Sequence, residues 1–484
     1  MEGAIAMAQK ETCLQERGLE KKLSPLNVWA LAFGCIIGWG AYVMPGNTFL
    51  INAGPIGTII AMMVAMLIMI IIAMNYQYMI NTYPMSGGEF IYTQRVFGKL
   101  HGFICAWFLG LSYLTIVPLN ATALALIGRN LLHSCFQWGV HYTIAGYDVF
   151  FGEVILAITA LVLLAYLSIR GVKLAGWFQT GLTIVLIGGV LIIMIAALIN
   201  PEVTISNLTP AFYPGKKTFA GILAVVAVAP WAFVGFDTVP QAAEEFQFSP
   251  RKSKMILVLS IIFGGSIYII LNTITAAVIP EEYQSWVDYI SKSSNLEGIM
   301  ALPTFFAANK LLGKIGLFIL GLSVLAAILS GIMGFYMATS RLLYAMAEEK
   351  VIPSIFSKLH IVYKTPYYAI IFVLFVSMIS PFLGRTALGW IVDMSSLGAA
   401  IGYGYTSAVA FICAKRDKKI SIMVTGILGV IFSVVFAILL LIPIPGLSCS
   451  LGRESYIALA IWIIIGIAFY FISYREKNRK QEYE

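Results

Sequence analysis

Apolar positions along this chain do not alternate with polar ones, and they do not recur as a one-sided stripe. They run on for about twenty residues at a time, and short charged segments separate the runs. Twelve stretches can be read, at roughly 27–51, 54–80, 102–128, 150–169, 176–199, 218–246, 255–279, 312–337, 368–383, 388–413, 420–442 and 455–472. A helix crosses a ~30 Å hydrocarbon core with about 20 residues, whereas membrane barrel strands alternate and run only ~10. The pattern therefore predicts an all-α polytopic membrane protein with twelve transmembrane helices. Residues 1–26 form a polar, mixed-charge tail carrying Lys10, Glu11, Glu16, Arg17, Lys21 and Lys22. No apolar core precedes the first stretch, so a cleaved signal peptide is not expected. Within the loop at about 280–311, "LPTFFAANKLLG" reads as a short amphipathic helix lying over the outer mouth.

Two stretches break the pattern. The first contains "GCIIGWGAYVMPG", residues 34–46, with four glycines and a proline. Each interior glycine costs a helix about 1 kcal/mol relative to alanine. The sixth, "AVVAVAPWAFVGFDTVPQAAEEF", is interrupted by Pro230, Gly235 and Pro240 and carries Asp237. The two lie five stretches apart and so cross in opposite directions. Freed backbone at membrane depth is tolerated only where it is buried in protein or lines a cavity. Interruptions at matching positions of two inverted halves point to the binding site of a secondary transporter. The competing reading is that these glycines only permit close helix packing.

Charge sets the orientation. Of 484 residues 60% are hydrophobic and 11% charged, against about 25% charged in soluble domains. With the N-terminus in the cytoplasm, 23 of the 31 Lys and Arg fall on the inner side and eight outside, which predicts both termini cytoplasmic in the cell membrane. The net charge of +8 then reflects topology and attraction to anionic membrane lipids, with no call for nucleic acid. The six Cys (13, 35, 105, 135, 413, 449) and four His (101, 133, 141, 360) show no ligand spacing, so neither a metal nor another cofactor is expected. Only Cys135 and Cys449 fall outside, where a disulfide between them stays open.

Five motifs, in this order, carry a resemblance: "GCIIGWGAYVMPG", "YPMSGGEFIYTQRVFG" (83–98), "RGVKLAGWFQ" (170–179), "PWAFVGFDTVPQAAEEFQFSPRK" (230–252) and "TSRLLYAMAEEKVIPSIFSKLH" (339–360). Across nearly its full length the chain resembles the amino acid–polyamine–organocation (APC) superfamily of permeases. The resemblance implies a five-plus-five inverted repeat with discontinuous helices 1 and 6: 27–199 as the first repeat, 218–413 as the second, 420–472 as two appended spans and 473–484 as a cytoplasmic tail. It also implies transport of amino acids or related amines by alternating access. Carried over by residue, Gly34, Cys35, Ile36, Ile37, Gly38, Trp39 and Gly40 form the carboxylate site, where N–H groups opening the outer half-helix face the substrate. A helix N-terminus carries about half a positive charge and unpaired donors, which agrees. Carbonyls around Ala229 to Ala232 would take the ammonium, Trp231 and Phe233 resemble the family's gate and pocket wall, and Gly235 allows close approach to the ligand. Trp39 departs from the small residue usual in the family, Asp237 from the frequent Glu, "AEEK" from the usual basic–acidic–glycine turn, and Leu186 stands where some members carry Lys.

Single residues keep two readings. Trp39 either narrows the pocket or packs in the bundle. An acid at membrane depth costs about 2.5–3.5 kcal/mol and is functional by default, so Asp237 is the candidate for coupling or gating, against a purely structural bond to backbone amides. Glu244 and Glu245 leave the membrane close in sequence to Arg251 and Lys252, as an inner-gate network; Arg95 is a comparable candidate. Asp393 reads as solvated at the outer end of its stretch. Ser330, beside Gly331 and Gly334, serves either close packing or an ion. Proton-coupled symport or exchange is expected over sodium symport, because Ser323 and Ser330 have no acid near them and cation sites benefit from ligand charge. A channel would want charged or carbonyl rings along a pore, and an enzyme a nucleophile or paired carboxylates at depth; neither is visible. A polyamine or organic-amine permease, and a receptor or scaffold on the same fold, remain alternatives.

Overall fold

The computed structural model describes residues 19–482 apart from 132, 145, 146, 385, 446 and 448. Lys10, Glu11, Cys13, Glu16, Arg17 and Arg385 lie outside the described residues. Ser24 starts the first helix, Pro25–Ile36, by a reciprocal cap: its hydroxyl accepts from Asn27 N–H, and the Asn27 side chain accepts from Ser24 N–H. Pro25 fits because the first helical position needs no N–H. The helix stops at Ile36 and resumes at Gly40, and it reaches Thr82 through a sharp bend at Gly54 (φ 75°) that divides the first stretch from the second.

The sixth stretch is divided more finely. It runs as Thr218–Val226, Ala229–Ala232 and then two tight turns, Phe236–Thr238 and Pro240–Glu245. The remaining stretches form Lys99–Leu131, Phe151–Ile169, Val172–Ile199, Ser253–Ala277, Tyr367–Ser377, Thr386–Arg416, Ile420–Leu441 and Arg453–Glu482. Pro303–Glu348 bends at Gly313, which separates the short amphipathic helix expected there from the eighth stretch. Among the described residues nine helices are long and apolar enough to cross a membrane, and Pro25–Ile36 and Tyr367–Leu383 are shorter apolar helices. Leu163, Ile184, Leu198 and Phe219 are among the large apolar side chains left exposed on these helices. Water would penalise such a surface, and lipid would not.

One element was not anticipated. His141–Ile144 and Tyr147–Phe150 pair as an antiparallel hairpin, and the Arg129–Glu153 ion pair sits beside it. Cys135 and Cys449 are both free thiols.

Helix ends gather at two faces. The basic face holds Leu23 paired with Phe246, the Tyr78–Asp417 hydrogen bond and the Thr365 bond to Ile169 O. The far face holds Asn207 bonded to Ala277 O, Trp286 to Pro210 O, and Asp393 capping Gly452 and Ser455.

Candidate functional site

The two interruptions meet. The first is narrower than residues 34–40: Gly34, Cys35 and Ile36 are still helical, and the backbone opens at Ile37, Gly38 and Trp39. Gly34 serves packing, since a Cβ there would lie 2.0 Å from Ser330 Oγ. In the sixth stretch Gly235 adopts φ +141°, a conformation other residues rarely take, and a Cβ on it would lie 2.5 Å from Ile36 N. The two broken helices therefore touch backbone to backbone.

Polar side chains from other helices finish the breaks. Asn120 Oδ1 accepts the Trp39 N–H at 3.4 Å, and the Tyr268 hydroxyl donates to Ile36 O at 3.4 Å. Tyr113 donates to Asp237 O at 2.9 Å. Backbone groups without a helical partner at depth need such bonds. Neither Asn120 nor Tyr268 was picked out from the sequence, although each is a polar group inside an apolar stretch.

A cavity of about 390 Å³ runs from the far face, past Asn47, Thr48 and Asp393, down to Trp39 and Trp231. Below the two tryptophans lies a second cavity of about 20 Å³ between Gly38, Asn120, Ile116, Val234 and Tyr268. That is room for one water molecule or so. Trp231 forms the partition: its ring lies over Gly40, where a Cβ would come within 2.0 Å of Cη2. Trp39 lines both cavities, so it is a wall of this site as well as a packed side chain. Ala229, Ala232 and Phe233 are buried in the turns around Trp231. Asp393 is only part-buried and spends one oxygen on the Gly452 and Ser455 cap.

The basic face is shut beneath the site. Glu245 is fully buried and holds Arg341 through Nε at 2.7 Å and Nη2 at 3.4 Å. Lys22 and Leu23 N–H donate to Glu245 O at 3.0 and 2.9 Å, so the N-terminal segment straps the same turn. Sequence proximity had pointed to Arg251 and Lys252, and the partner is Arg341 instead. Arg95 pairs with Glu349 at 3.2 Å near the surface, not with the Glu244–Glu245 pair.

Between the first and eighth stretches, Gln179 Nε2 donates to Ser330 Oγ at 2.6 Å and to Ala30 O at 3.3 Å. Thr183 donates to the same carbonyl at 3.2 Å. Leu186 is buried two turns further on, where its carbonyl accepts from Ser323.

Paired helix breaks under an apolar surface narrow the comparison. The amino acid permease family matches residues 23–469, nearly the whole chain. The chain belongs to this family. Its relatives in Bacillus subtilis (strain 168) include the branched-chain amino acid permease BcaP, 25% identical over 96% of this chain and 95% of the relative. A methylthioribose transporter of the same organism is 25% identical over the same shares, and the serine/threonine exchanger SteT 22% over 84% and 86%. This permease is thus an all-α, multi-pass membrane protein of the APC superfamily whose relatives include amino acid transporters.

Proposed function

We propose that this permease is a secondary active transporter that moves neutral amino acids across the cell membrane by alternating access, with proton coupling. Its twelve transmembrane helices would form a five-plus-five inverted repeat (27–199 and 218–413) with 420–472 appended and both termini in the cytoplasm. The basic face is then cytoplasmic by the excess of Lys and Arg there. The observation that carries the reading is the contact of the two interrupted helices under Trp231, open toward the far face and shut at the basic one.

The substrate carboxylate would take donors at the opening of the half-helix that begins at Gly40, and the ammonium the freed carbonyls around Ala229. Among the described residues no acidic or basic side chain lines the inner cavity, and Ile116, Leu119 and Val234 do. That lining favours an apolar side chain, in keeping with the branched-chain permease among the relatives. A 20 Å³ space cannot hold such a substrate, so Trp231 must swing away before binding.

Sodium coupling is disfavoured by Gln179. Its amide hydrogens already bond Ala30 O and Ser330 Oγ, oxygens a cation between the first and eighth stretches would need. Asp237, fully buried beside the break, is the proton carrier in this reading. The test uses proteoliposomes with imposed gradients. Amino acid accumulation should follow a pH gradient and ignore sodium, and Asp237→Asn should lose that drive. Uptake that depends steeply on sodium in both proteins would overturn the coupling.

A further inference from the structure

We propose that Glu89 and Asp237 form a two-carboxyl site holding one exchangeable proton, which rests on the proton-coupled reading above and adds Glu89 to it. Glu89 comes from the "SGGEF" turn after the second stretch and has no exposed surface. One of its oxygens, Oε2, accepts from Gln241 Nε2 at 2.6 Å; Oε1 has no partner at hydrogen-bonding distance. Asp237 is used the same way: Oδ1 accepts from Gly235 N–H at 2.7 Å, and Oδ2 has no partner. Gln241, which binds Glu89, stands one turn along the chain from Asp237. Both carboxyls are therefore held on the same short segment of the sixth stretch, Gly235 to Gln241.

Among the described residues, the groups around the pair carry no positive charge. Tyr76 from the second stretch and Tyr403 from the tenth pack their rings on Phe236, the residue before Asp237. Tyr92 is buried on the same helix as Glu89, Cys105 Sγ bonds the Glu89 carbonyl, Tyr113 bonds the Asp237 carbonyl, and Cys35 lies against Gly235. Arg341, on the eighth stretch, is committed to Glu245 of the neighbouring turn. A buried carboxylate without a cation takes up a proton rather than pay several kcal/mol of desolvation. A second negative charge held on the same buried segment raises that cost further.

The N-terminus of helix Gly88–Phe97 helps one negative charge at Glu89, not a second at Asp237. Gln241 also suits both states of Glu89. Its amide donates to the carboxylate, and its partnerless Oε1 can accept from the carboxylic acid after a flip. Loading is simple protonation of one carboxylate oxygen. Unloading returns that proton to water when the basic face opens, because Gln241, which holds Glu89, lies on the same turn as the gate residue Glu245.

The test measures substrate affinity against pH, and substrate-triggered proton uptake, on the purified full-length protein with a neutral amino acid shown to be transported. Wild type should bind about 5–150-fold more tightly with the pair protonated. Glu89→Gln and Asp237→Asn should each flatten that dependence and abolish proton uptake. Infrared spectra should show a carboxylic-acid band that weakens in Glu89→Gln and vanishes in the double variant. If Glu89→Gln keeps the wild-type pH dependence while Asp237→Asn loses it, the pair is wrong and coupling through Asp237 alone stands. If wild type takes up no proton, the coupling reading falls and the pair with it. Should Glu89→Gln fail to fold, Glu89→Asp is the substitute. It should keep pH-dependent binding with a displaced midpoint, and an unmoved midpoint would overturn the proposal.

Discussion

Arg341→Gln is expected to open the permease at its basic face and to weaken substrate binding from the far face by up to about 100- to 4,000-fold. The Arg341–Glu245 pair is almost wholly buried. Removing one partner of such a pair costs about 3–5 kcal/mol, because a charge is left without compensation. Only the shut conformation bears that cost, since opening returns Glu245 to water. The equilibrium therefore tips toward the open form, and affinity from the other side falls with the shrinking population of competent molecules. At 1.4 kcal/mol per tenfold, the cost converts to the loss stated. Cysteines placed at the basic face should label faster in this variant. The double variant Glu245→Gln/Arg341→Gln should recover much of the affinity, because two amides can hydrogen-bond without a buried charge. Arg95→Gln provides the contrast: the Arg95–Glu349 pair is half-exposed, and pairs of that kind are worth about 0.2–1 kcal/mol. Equal effects from Arg341→Gln and Arg95→Gln would remove the gate from this account.

Gly235→Ala is expected to abolish substrate binding, by 100-fold or more, while the protein still inserts into membranes. Two effects act together there. At φ +141° an alanine is strained by about 1–3 kcal/mol, and its Cβ would sit 2.5 Å from Ile36 N and 2.8 Å from Cys35 C. The atoms in the way are backbone, so no rotamer change relieves them. The half-helices must separate, and the donors and carbonyls meant to converge on one ligand no longer do. Binding assays on detergent-solubilised protein, with gel-filtration behaviour as the folding control, give the answer. Wild-type affinity in Gly235→Ala would show that the contact between the breaks is incidental.

The course of the chain was legible because each long apolar stretch becomes a helix whatever its neighbours are. The first break was legible only to within a turn. Glycine permits both an opened backbone and a tight helix contact, so Gly34, which packs on Ser330, could not be told from Gly38, where the helix opens. Ion pairing was the least legible. Glu245 was matched to Arg251 and Lys252 on nearness in sequence, but its partner lies 96 residues away on a helix that the fold brings alongside. Gln179 and Glu89 both lie inside motifs that carry the family resemblance. Their roles depend on what faces them, Ser330 in one case and Gln241 in the other. The hairpin at His141–Phe150 was missed for a related reason: four-residue strands give a signal too short to stand out between two apolar stretches.

The central claim is that the gap between the two interrupted helices, beneath Trp231, is an amino acid site. Counterflow in proteoliposomes of the purified permease tests it most directly, with labelled neutral amino acids outside and unlabelled competitors scanned against them. The account predicts saturable uptake that is blocked by other neutral α-amino acids, untouched by their decarboxylated amines, and lost in Gly235→Ala. Amines that compete as well as their parent amino acids, or uptake undiminished by Gly235→Ala, would contradict it.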